Sequence, residues 1–64
     1  MKVVLDYDAG SLVEQVNVVH FAIKAGIEVG DLFGMRFRGR YYGVKRTKTT
    51  IRVYPQTAEA PHAS

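Results

Sequence analysis

The chain predicts a single small α+β domain of order β-α-β-β-β, with one helix packed on an antiparallel sheet. Three observations lead there. Residues 12–25 carry helix signals at both ends, three segments after residue 31 alternate apolar with polar side chains, and 64 residues leave room for only one core. The domain is expected to span residues 1–55, with the small, polar, proline-containing segment 56–64 as a tail.

Val3 to Tyr7 reads as the first strand, with Val3, Leu5 and Tyr7 on one face, and Ala9-Gly10 breaks it. Asp6 and Asp8 share the other face near the strand end, where carboxylates serve as turn formers more readily than as a magnesium pair. Ser11-Leu12-Val13-Glu14 matches a capping box, in which the Ser11 hydroxyl accepts from a helix amide and Glu14 reaches back. Lys24 suits the last turn and Gly26 the left-handed residue beyond it. The helix is rich in β-branched residues, but a strand over Val16–Ile23 is excluded by the adjacent Val18 and Val19, which break alternation.

At helical spacing Leu12, Val16, Val19 and Ile23 form one narrow stripe, the expected core face. Val18, Phe21 and Ala25 fall on the other side as a second apolar strip. A domain this small gains from self-association, so that strip is the expected contact of a homodimer.

Ile27–Asp31 is a turn into a strand over Leu32–Arg38, followed by a Gly39-Arg40 turn, a strand over Tyr41–Arg46, a turn at Thr47-Lys48 and a strand over Thr49–Tyr54, which Pro55 ends. The run Val29-Gly30-Asp31, Tyr42-Gly43-Val44 and Thr50-Ile51-Arg52-Val53 is similar to the three-stranded meanders of SH3-like small barrels. A helix between the first two strands departs from that barrel's usual order.

Alternation places Phe33, Met35, Phe37, Tyr42, Val44, Ile51 and Val53 on the face that the helix covers. The opposite face then carries Arg36, Arg38, Tyr41, Lys45, Arg52 and Tyr54, with Lys48 at a turn. Residues 36–52 contain seven of the nine Lys and Arg residues and no Asp or Glu. Guanidinium forks grip phosphates and tyrosine rings stack on unpaired bases, so this face is the expected binding surface for single-stranded DNA or RNA. The alternative, from a different class, is a small phage- or plasmid-type protein that uses the same basic face to bind an acidic protein surface and inhibit a host complex, for example a defence complex.

Enzymatic chemistry is not expected. There is no cysteine, His20 has no nucleophile or orienting acid placed beside it, and Ser11 is accounted for as a cap. No cofactor and no metal site is expected either. The amino-terminal apolar run turns acidic at Asp6, too soon for a signal-peptide core, and no stretch approaches a membrane span of about 18 apolar residues. A cytoplasmic protein without membrane contact is the simplest expectation.

Overall fold

A computed structural model describes residues 1–9 and 11–55, so the expected tail at 56–64 lies outside the described residues. The elements follow the anticipated order: β1 (Lys2–Val4), α1 (Leu12–Lys24), β2 (Leu32–Phe37), β3 (Arg40–Arg46) and β4 (Thr50–Pro55). They form one helix on a four-stranded sheet of spatial order β1-β4-β3-β2.

The sheet is mixed, which corrects the expectation of an antiparallel one: β2 and β3, and β3 and β4, pair antiparallel, whereas β1 pairs parallel with β4. The cause is topological. Helix α1 carries the chain from one edge strand to the other, and two successive hairpins bring it back, so β4 meets β1 running in the same direction.

Strand β1 stops at Val4 rather than Tyr7, and the reason is the side chain of Gln15. Its Oε1 accepts from the Asp6 amide at 2.8 Å, while its Nε2 donates to the carbonyls of Asp6 and Ala9 at 3.0 and 2.7 Å. These bonds take the backbone groups that would have continued the strand. Gln15 is fully buried, and a buried amide is stable only with such partners. The Asp6 carboxylate is used locally, with Oδ1 accepting from the Asp8 amide at 3.0 Å.

Both helix-end signals operate. Ser11 sits in extended geometry and its Oγ accepts from the Glu14 amide at 3.3 Å. Beyond the last turn, Gly26 takes φ 84° and donates to Ile23 O at 3.0 Å, while Ile27 donates to Ala22 O at 3.2 Å. That pair of bonds is a Schellman motif, and Ile27 and Ala22 share the core as its hydrophobic contact.

The buried face of α1 differs from the expected stripe. Gln15, Val18, Val19 and Ala22, at i, i+3, i+4 and i+7, face the sheet. Leu12, Val16 and Ile23 remain on an exposed flank, the last two each 52% accessible. The expected dimer strip is corrected too: Val18 is buried in the core, Phe21 packs its ring 6.0 Å from that of Phe37, and Ala25 is the exposed helix C-cap. The core face includes the polar Gln15 because the backbone of Asp6 and Ala9, in the segment just before the helix, satisfies its amide.

The core joins Val18, Val19 and Ala22 with Ile27, Tyr42, Val44, Ile51 and Val53, and Leu5, Phe33, Met35 and Phe37 pack around it. Glu14 does not close the capping box by reaching back; its Oε1 accepts from the Tyr42 hydroxyl at 2.5 Å. Burial, reinforced by that hydrogen bond and by the carboxylate's charge, pushes the Tyr42 hydroxyl pKa up to about 12.

Candidate nucleic-acid interface

Two hairpins set the geometry of the open face. In the first, Arg38 and Gly39 take φ 56° and 81°, the pattern of a two-residue type I′ turn whose twist matches its strands. The turn therefore lies one residue earlier than the expected Gly39-Arg40. In the second, Thr47 ties the loop: its Oγ1 accepts from the Thr50 amide at 3.0 Å, and its own amide donates to Thr50 O at 2.8 Å.

Register then orders the side chains that point away from the helix. Lys45 of β3 stands directly between Leu32 of β2 and Arg52 of β4, and Arg52 is in turn paired with Val4 of β1. One step along, Gly34, Gly43 and Tyr54 lie across the sheet; at the next, Arg36 faces Tyr41. Lys2, opposite Thr50, extends the face at the β1 edge. No open-face position of these strands is acidic.

Tyr41 does not simply stand up from the sheet. A Cβ at Gly34 would lie 2.2 Å from the Tyr41 hydroxyl oxygen, so the ring leans across the neighbouring strand into the space a side chain would fill. Tyr41 and Tyr54, with Leu32 and the two glycines, border a shallow recess of about 250 Å³. The Arg52 guanidinium lies 5.7 Å from the centre of the Tyr54 ring, within cation–π range.

Of the expected site residues, Arg36, Tyr41, Lys45, Arg52 and Tyr54 share this face. Arg38 does not: it occupies the β2–β3 turn, and its guanidinium lies 5.7 Å from the ring of Phe37, a residue on the helix side. Lys48 sits in the β3–β4 turn, at the other end of β3 from Arg38. The run contains cations with other duties as well. Arg46 lies on the helix side, where Nη1 donates to Ile27 O at 2.8 Å and Nε is buried without a partner.

Lys2, Gly34 and Gly43 escaped the sequence reading. Lys2 is far away in sequence and joins the face only through the parallel pairing of β1, while alternation alone could have marked the glycines as its floor. At the rim beside β4, Asp6, Tyr7, Asp8, Arg52 and Tyr54 border a wider recess of about 510 Å³. Among the described residues no group of three or more His, Cys, Asp or Glu side chains could hold a metal ion, and no helix is long and apolar enough to cross a membrane. Comparison with family models, curated proteins and solved structures finds no match to this chain.

Proposed function

We propose that this chain is a non-enzymatic binding module for single-stranded nucleic acid, with the open sheet face as its working surface. The observation that carries the proposal is the cross-strand pair Lys45 and Arg52, two like charges directly opposite each other on strands whose open-face positions carry no carboxylate. Such pairs destabilise a sheet on their own, whereas a phosphate between them reverses the sign of the interaction. Arg36 and Lys2 widen the cationic track, and Tyr41 and Tyr54 supply rings for unstacked bases. Bases on an extended strand are open to such rings; in a duplex their faces are closed by stacking.

Fluorescence anisotropy with short labelled single-stranded DNA and RNA across a salt series tests the proposal. With Lys2, Arg36, Lys45 and Arg52 on phosphates, log affinity falls against log salt with a slope of about −3, since each contact contributes about −0.7 on a single strand. Absence of binding to either polymer at low salt rejects the proposal and moves the basic face to the alternative partner, an acidic protein surface.

A further inference from the structure

Helix α1 lies over β4, β3 and β2, and among the described residues no Cα of α1 comes within 8 Å of a Cα of β1. Val3 shares its sheet face with Ile51, its partner in register, yet is 48% accessible. The helix flank on this side, Leu12, Val16 and Ile23, is uncovered as well. Together with Met1 these residues form one apolar strip along the β1 side of the molecule, and Val13 adjoins it on the outward side of α1. None of the strip's positions carries a charged side chain.

We propose that this strip is the contact surface of a symmetric homodimer. Its shape is self-complementary. At the amino-terminal end of α1, Val13 projects and is 71% accessible; at the carboxy-terminal end, Met1, Ile23, Ile27 and Ile51, together with Glu28 and Arg46, line a cavity of about 280 Å³. A twofold axis across α1 brings the projecting end of each copy to the cavity of the other, as an isologous contact requires.

The size of the strip agrees. Its side chains and Val13 leave on the order of 500 Å² uncovered, near the upper end of the patches that monomers expose. With a polar rim from Asn17 and His20 this approaches the roughly 800 Å² per partner of a standard interface. Both open sheet faces stay free, so the dimer stands or falls independently of what those faces bind.

Sedimentation velocity of the full chain, without nucleic acid and from low to high micromolar concentration, tests the proposal. The parent is expected to sediment at twice its 7.2 kDa chain mass. Val16→Glu, folded by circular dichroism, is expected to weaken the dimer at least tenfold, and Ala25→Lys on the opposite flank to leave it unchanged. If Val16→Glu does not fold, Val13→Asp beside the strip takes its place with the same expected loss. A parent that stays monomeric at high micromolar concentration overturns the proposal. So does a folded Val16→Glu or Val13→Asp dimer as tight as the parent's, or equal weakening by Ala25→Lys, which would put the contact elsewhere.

Discussion

Tyr41 and Tyr42 are neighbours in sequence and opposites in the fold. Tyr42 points into the helix-covered face, is fully buried, and gives its hydroxyl hydrogen to Glu14. Tyr41 points to the open face, 40% accessible, and leans over Gly34 among cations. The same side chain thus anchors the core on one side of the sheet and offers a ring to solvent on the other. The difference shows how one strand divides its residues between stability and binding with nothing but the two-residue period.

Truncating the two tyrosines gives the sharpest test of that division. Tyr42→Ala should cost about 3–5 kcal/mol of stability, the range for a buried aromatic that leaves a cavity. Tyr41→Ala should change the melting temperature little and weaken single-strand binding by about 1–3 kcal/mol, with the salt slope preserved because stacking releases no counterion. Equal melting losses for both variants would break the comparison.

The Glu14 partner sharpens it next. Glu14→Ala leaves the Tyr42 hydroxyl without an acceptor and should cost about 1–3 kcal/mol by thermal melting. The sign of the pH effect follows from the Tyr42 pKa, raised in the folded state from 10.0 to about 12. A raised pKa means that the fold favours the neutral hydroxyl, so this stabilisation is complete below pH 10 and is lost as the pH rises toward 12. Tyr42→Phe should abolish that part of the alkaline decline, as measured by melts across this window.

Smaller effects belong to the helix cap and the open face. Ser11→Ala should lower stability by about 1 kcal/mol through the lost N-cap bond, with no effect on binding. Lys45→Ala should leave stability within about 0.5 kcal/mol of the parent, as exposed sites do. Its signature is instead a salt slope shallower by about 0.7. A Lys45→Ala protein that binds with an unchanged slope would remove Lys45 from the phosphate track.

What could be read from the sequence was local. Ser11 and Gly26 mark the helix ends through bonds made within a few residues, and alternation correctly puts Arg36, Tyr41, Lys45, Arg52 and Tyr54 on one face. Pattern misled where a side chain's partners lay outside its own element. Gln15 scores as polar and is buried, because the backbone of Asp6 and Ala9 satisfies its amide; Val18 scores as outward and fills the core in consequence. Arg38 follows the alternation as far as the turn and then leaves the face, because its positive φ makes it part of the hairpin loop.

By itself, then, the sequence determined the order of the elements, the helix ends and the two-faced character of the strands, since each depends on backbone geometry and near neighbours. Tertiary structure alone decided which side of α1 is buried, that β1 runs parallel to β4 and brings Lys2 to the basic face, and that Val3 stays half-exposed. Those outcomes depend on which groups lose water together, and desolvation is a property of surfaces that meet in space, whatever their distance along the chain.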